Sequence, residues 1–443
     1  MKRQPARLTR RSLLAGGLGA MAVATMRLPG TDLAARAQEP THLDFHIWQY
    51  GVETVQDNIR RFEELYPGVT VALSDVSWNA YHEATVNRLR SKTPTDVLYN
   101  GGDWLEEFAT AGWVVPLDQH FDWVAGYQDK VFDFAWQDMV FNDQVYGLPY
   151  YADTITFMYN EKILQDAGIS APPQTWEEVT EQSLALKGNG MEFPFLYVLA
   201  QDLPTVSETF VSTVFGRGGE LIDENDDPLW TNPDSPAYQQ FKWFVDARNT
   251  DQILTYVSNE TDAVGAMSTG QHAFTVLYNY HLAELNDPAR SDLAGQFKIT
   301  LMPGETHECY GFSKFYNMTQ MAVDRGDDVV AACGDFIQYF AGEIDGEYPI
   351  AKRWAVENGL GFGTKALFDD PDVQAAYSKW IDIDMWVEQL NLARAQRHTP
   401  WQGIWNEFFR LEHVRATAGE TDVDTALEAT TAKWTELQQQ FSG

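Results

Sequence analysis

Residues 43–76, LDFHIWQYGVETVQDNIRRFEELYPGVTVALSDV, decide the fold class. Residues 43–48 read as a strand and Gln49-Tyr50-Gly51 as a loop. Val55, Ile59, Phe62 and Leu65 then recur at helical spacing, which puts them on one face and predicts a helix over 55–66. Pro67-Gly68 ends that helix, and VTVALSDV is a second strand. Further along, residues 80–89 are predicted as a helix, DVLYN as a third strand, and a helix starts near Trp104. This β-α-β-α-β-α order predicts an α/β protein with parallel strands and helices on the faces of the sheet. Ligands of such sheets bind beyond the carboxyl ends of the strands.

GLPYYADTITFMYN, residues 147–160, is a strand of aromatic and β-branched residues interrupted by a carboxylate, Asp153. Residues 161–167 follow as a helix, then the Pro172-Pro173 turn, then TWEEV, with Thr175 as N-cap and Glu178 at the capping-box position. Up to about residue 300, strand-like AFTVLYN and FKITLMPG alternate with helical PAYQQFKWFVDARN, a second α/β unit. After about Asp328 the chain is mainly helical and closes on an amphipathic helix over 427–441. No linker separates the units, so a compact two-lobed body is expected.

The first 37 residues have the composition of an export signal. Lys2, Arg3, Arg7, Arg10 and Arg11 form a basic start, residues 12–25 are apolar, and Ala35-Arg36-Ala37 matches a cleavage site. Arg10-Arg11 fits the twin-arginine type, the alternative being a general secretory signal. No cysteine lies near the cleavage point, so no lipid anchor is expected. The leader holds seven of the 31 Lys/Arg and one of the 64 Asp/Glu, leaving 24 bases against 63 acids in residues 38–443, a net charge of −39. Such acidity argues against nucleic acid or an anionic membrane as partner. It fits either a surface adapted to high salt or the attraction of a cationic ligand. The two cysteines, Cys309 and Cys333, are too few for a disulfide framework or a thiolate metal cluster, and sequence does not settle whether they pair.

In order, IRRFEELYPGVTVAL, LRSKTPTDVLYNGGDWLEEFATAGWVVPLD, VYGLPYYADTITFMYNEKILQDAGISAPPQTWEEV, GQHAFTVLYNYHLAE with LMPGE, and GETDVDTALEAT resemble the family 1 extracellular solute-binding proteins, the group of the maltose-binding protein. The resemblance implies the two-lobed periplasmic binding protein fold, each lobe a mixed sheet flanked by helices, with several chain crossings at the hinge. It implies an N-terminal lobe of 38–152 with about 318–365 and a C-terminal lobe of 153–317 with about 366–443. The implied function is reception of a carbohydrate, of oligosaccharide size, for the membrane subunits of an ABC importer, by a monomer without cofactor, metal or catalytic residues. Alternatives are a polyamine or glycerol phosphodiester as ligand, or a secreted glycoside hydrolase; no nucleophile elbow, P-loop or HExxH helix is present, and 63 acids single out no catalytic pair.

A sugar asks for flat aromatic faces and planar polar groups. Trp48 and Tyr50 end the first strand and Trp78 follows the second; Trp48 is otherwise core. Asp103 and Trp104 follow the third strand, where Asp103 is a ligand contact, a helix cap or both. Tyr150, Tyr151 and Asp153 are expected on the cleft floor, the alternative being that Asp153 caps a turn or meets an arginine. Tyr280 ends the strand AFTVLYN, where relatives in the family carry other residues. Trp401 and Trp405 lie one helical turn apart, as a stacking surface or as core. Tyr310, Gly311 and Phe312 fall on the expected second crossing.

Overall fold

The computed structural model of the protein describes residues 40–441, so the leader reading lies outside it. β1 (Thr41–Trp48), α1 (Val52–Leu65), β2 (Val69–Val76), α2 (Trp78–Arg90), β3 (Val97–Gly101) and α3 (Gly102–Thr110) follow in the predicted order. β1 pairs in parallel with both β2 and β3. α1 buries Val55, Ile59 and Phe62 against this sheet, whereas Leu65, on the last turn, is exposed. Leu65 departs from the expected face because, ten residues after Val55, it has turned about 80° off the stripe, and Tyr66 stacks on Phe62 there instead.

Three two-residue strands follow: β4 (Val114–Val115), β5 (Val140–Phe141) and β6 (Gln144–Val145). β7 (Gly147–Asn160) is 14 residues long, and every one of them is buried. At about 3.3 Å per residue such a strand reaches about 46 Å, enough to serve two lobes. β8 (Phe195–Val198), β9 (Leu254–Val257), β10 (Phe274–Tyr278) and β11 (Phe297–Thr300) complete the second unit, and β12 (Cys309–Thr319) and β13 (Ala393–Arg394) come last.

β7 and β12 join the halves. β12 pairs antiparallel with β3 through Lys314–Met318 and with β7 through residues 311–317, while the far half of β7 pairs with β10 and β11. The strand path is β2-β1-β3-β12-β7-β10-β8-β9. A third span, residues 359–364, lies against β7, where the Gly361 carbonyl accepts from the Ala152 amide at 3.4 Å. The fold is that of two α/β lobes bridged by these crossings. Between Lys314 and Phe315 the β12–β7 register slips, because Lys314 faces Tyr151 and Phe315 faces Pro149. Tyr150 is the extra residue of this bulge, and its ring stacks on Tyr99 at 4.4 Å.

Smaller features follow their sequence signals. Thr175 accepts from the Glu178 amide at 3.1 Å, and the Glu178 carboxylate accepts from the Gln174 amide at 2.7 Å. Cys309 and Cys333 are buried and free.

Candidate functional site

Facing residues of an antiparallel pair point to the same side of a sheet, and so do alternate residues of one strand. Tyr151 faces Lys314 and Asp153 faces Phe312. The ladder therefore puts Tyr151 and Asp153 of β7 and Tyr310, Phe312 and Lys314 of β12 on one face. The contacts agree: Tyr151 meets Phe312 edge to face at 5.6 Å, and Tyr310 stacks on Phe312 at 5.8 Å. This face is the floor of the candidate site.

From the first lobe, α3 and the start of α2 form one wall. Asp103 lies in the first turn of α3, whose N-cap is Gly101 and has no side-chain cap bond. Its carboxylate instead accepts from Lys314 Nζ at 2.7 Å, so the helix-cap alternative does not hold. The Lys314 ammonium also sits 5.4 Å from the Trp104 ring centre and 5.7 Å from those of Trp78 and Phe312. Burial disfavours the charged form of both Lys314 and Asp103, but their mutual attraction prevails: Lys314 is raised and Asp103 lowered from their ordinary values.

Trp48 is buried beneath this wall, with Trp78 and Tyr81 at 5.1 Å and Tyr99 at 4.7 Å. It is the base on which Trp78 stands, while Trp78 itself is 43% exposed. Tyr50 is exposed and lies 6.0 Å from Trp354. Tyr150, turned by the bulge, belongs to the same packed group as Trp48, at 5.8 Å.

The second lobe supplies the opposite wall. Tyr278 and Tyr280, at the end of β10, stack at 5.6 Å, and Tyr278 meets Phe312 edge to face. The Tyr278 hydroxyl donates to Glu208 of the helix Pro204–Gly216, and burial raises the Glu208 carboxyl above its usual value. Thr205 of that helix donates to Glu260 and lies 3.2 Å from the Tyr278 hydroxyl. Ser212, about two turns beyond Thr205, donates to the Ile155 carbonyl and accepts from the Tyr310 amide, both at 3.0 Å, tying the helix to both crossing strands.

Asp153 is wholly enclosed. It accepts from the Tyr151 hydroxyl at 3.1 Å and from the Thr154 amide at 2.8 Å, and among the described residues it forms no ion pair. Both alternatives, a turn cap and an arginine partner, are thereby replaced by a carboxylate held within its own strand. Burial pushes its pKa up to about 7, with the Thr154 and Tyr151 bonds opposing. Asp138 behaves alike: burial pushes it up to about 7 against its bond from the Ser313 amide at 2.7 Å. Its other carboxylate oxygen is buried without a partner and lies where a Cβ on Gly102 would collide with it.

The structure does not bring Trp401 and Trp405 to this group. Trp405 is enclosed by Trp230 at 4.6 Å, Phe409 and Trp434, and its indole N–H donates to the Thr430 carbonyl. Trp401 packs on Trp434 and Phe441. One helical turn does align them, but the face they share is the one turned to the closing helix Val423–Phe441. Beside Asp103 and Lys314 the chain places His398 instead, whose ring nitrogens have no partners and whose pKa burial lowers to about 4.

Sequence reasoning missed Lys314, Glu208, Tyr278, Asp138 and His398. For two of them a signal existed. Lys314 is the single charge in β12, and Glu208 is the single charge in a helix that buries every residue except itself and Pro204. Each repeats the pattern of Asp153 in β7. Among the described residues, no group of three or more His, Cys, Asp or Glu is placed to hold a metal ion, and no helix is long and apolar enough to cross a membrane.

The profile of the family described as bacterial extracellular solute-binding protein matches residues 47–309, more than half of the chain. A binding protein of Brucella abortus is 26% identical over 262 residues, covering 59% of this chain and 63% of that protein. The chain thus spans less than two thirds of that relative. The diacetylchitobiose binding protein of Streptomyces coelicolor is 26% identical over 164 residues, 36% of each chain. The sugar-binding protein MalE of Xanthomonas citri superposes with a TM-score of 0.75 over 91% of this chain and 99% of its own, at 17% identity.

Proposed function

This chain belongs to the family of bacterial extracellular solute-binding proteins, and from that premise we propose that it is the receptor of an ABC importer whose ligand is a carbohydrate of oligosaccharide size. The observation that carries the ligand class is the cleft floor: two crossing strands present Tyr151, Phe312 and Lys314 on one face, beneath the half-open rings of Trp78 and Trp104 on one side and Tyr280 on the other. Ring faces receive the C–H faces of pyranoses, while Asp103, Glu208 and Lys314 offer acceptors and a donor to hydroxyl groups. The names of the X. citri and S. coelicolor proteins support the same class.

Two lobes carry the opposed walls, residues 38–152 with about 318–365 and residues 153–317 with about 366–443. Ligand contacts made with both walls exist only when the lobes are closed, so ligand shifts the population toward the closed form. The importer's membrane subunits read that form. The chain works as a monomer outside the cytoplasmic membrane, delivered by a cleavable twin-arginine leader without a lipid anchor, and it binds rather than transforms its ligand.

Titration calorimetry against a panel of oligosaccharides, paired with small-angle scattering, tests this reading. One sugar class binds with a stoichiometry of one and reduces the radius of gyration. Binding of a polyamine or an amino acid with no response to any sugar refutes the ligand class, and cleavage of the bound sugar refutes the receptor role.

A further inference from the structure

We propose that the carbohydrate bound here is cationic, an oligosaccharide of amino sugars carrying free amino groups; this rests on the carbohydrate reading of the same cleft. Its first ground is the wall formed by Glu208 and Glu260. The Tyr278 hydroxyl spends its one proton on Glu208 and the Thr205 hydroxyl spends its own on Glu260, with the two hydroxyl oxygens 3.2 Å apart. Each carboxylate keeps further acceptor positions open, and neither enters an ion pair among the described residues. Arg410, whose charge also reaches Glu208, gives its N–H groups to the Gln201 carbonyl at 2.7 Å and to Ser207 at 3.2 Å.

The second ground is the use already made of the aromatic residues. Trp104, Trp78 and Phe312 hold an ammonium, that of Lys314, within 5.4 to 5.7 Å of their ring centres. Ring faces gathered beside carboxylates are a setting that favours organic cations. Lys314 is itself neutralised by Asp103 at 2.7 Å, so it leaves no charge to offset the glutamates opposite. Tyr278 links the two sides, because it is bonded to Glu208 and packed on Phe312.

The third ground is the charge balance of the whole cleft. Asp138 and Asp153, which burial pushes up to about 7, add little to this balance, and one oxygen of Asp138 is buried without any partner. Asp103 is matched by Lys314, which leaves Glu208 and Glu260 without an ion pair among the described residues. A sulfated or uronic sugar would deepen this imbalance and a neutral one would leave it; protonated amines on the sugar offset it, and the charge of −39 on residues 38–443 draws them toward the protein.

Calorimetry with three probes at one pH and 0.1 M salt decides the matter: a glucosamine trisaccharide, its fully N-acetylated form, and maltotriose. The expected result is one-to-one binding of the glucosamine trisaccharide at least tenfold tighter than either other probe. Glu208→Gln and Glu260→Gln, which keep side-chain shape, are expected to narrow that preference at least threefold. Equal or tighter binding of the acetylated or malto-trisaccharide overturns the inference while leaving the carbohydrate reading intact. Weak binding of the amine at many sites overturns it too, as general attraction to an acidic surface. Tight one-to-one binding of spermidine with no response to the three sugars overturns both.

Discussion

Asp153, Lys314 and Glu208 each stand alone as a charge in an element that is otherwise buried, and all three reach the same cleft. A charge in such surroundings is costly unless something answers it, and here the answers differ: Lys314 has Asp103, Glu208 has Tyr278, and Asp153 has Tyr151 and the Thr154 amide. Asp153 was conspicuous in the sequence because its neighbours are so apolar. Lys314 carried the same signal, but the approach of Asp103 that pairs with it spans 211 positions and depends on the β3–β12 pairing, which no local pattern encodes. Asp153→Ala frees the Tyr151 hydroxyl and is expected to weaken ligand binding at least tenfold, about 1.4 kcal/mol, in a protein that still folds. Wild-type affinity in calorimetry would remove Asp153 from the site. Asp138 gives a test in pH. Its folded pKa is raised to about 7 from 3.8, so between those values the native state holds a proton that the unfolded state has lost. Its contribution to stability is complete below about pH 4 and is lost as the pH rises toward 7. Asp138→Asn should therefore flatten the fall in melting temperature across that range, and an unchanged slope would show that Asp138 does not titrate there.

The crossing strands show what an element adds to its residues. β7 was legible from sequence, because a run of apolar, aromatic and β-branched residues between Gly147 and Asn160, interrupted by Asp153, leaves little else to form. The first three strands and helices were legible for a similar reason, each having a clear period and a proline or glycine stop. The bulge at Tyr150 was not, although it decides that Tyr150 packs on Tyr99 while Tyr151 looks onto the floor. It arises from pairing with β12, a partner far away in sequence. Trp401 and Trp405 were misleading for the converse reason: a helical stripe of tryptophans looks the same whether it faces a cleft or another helix. The third crossing has its own test. A Cβ on Gly361 would lie 2.3 Å from the Ala152 carbonyl oxygen, a backbone atom that cannot turn away, whereas a Cβ on Gly68 meets nothing within 4 Å. Gly361→Ala should destabilise the protein by about 1–3 kcal/mol in denaturant unfolding. Gly68→Ala should leave the midpoint almost unchanged, and a Gly361→Ala midpoint equal to wild type would mean that this span is free to shift away from β7.

At the scale of the whole molecule the dominant quantity is charge. Residues 38–443 carry 63 acids against 24 bases, and many of the lysines and arginines are already matched on the surface, as in Lys162–Asp166 at 2.5 Å and Lys242–Asp246. Exposed pairs of this kind contribute about 0–1 kcal/mol each. The unmatched acids repel one another across distances that such pairs do not reach. Screening shortens that repulsion, with a Debye length of about 10 Å at 0.1 M salt and about 3 Å at 1 M. It also weakens the ion pairs, but with acids exceeding bases by 39 the loss of repulsion outweighs the loss of attraction. The melting temperature is therefore expected to rise steadily between 0.1 and 1 M NaCl, and KCl, which screens equally, should give the same curve. Sucrose separates this from a general exclusion effect, since it strengthens burial without screening and should not reproduce the steep rise at the low end of the range. A melting temperature that stays flat or falls with salt would mean that the acids are spaced widely enough to tolerate one another in dilute buffer. The charge would then bear on what approaches the cleft and not on how the fold is held.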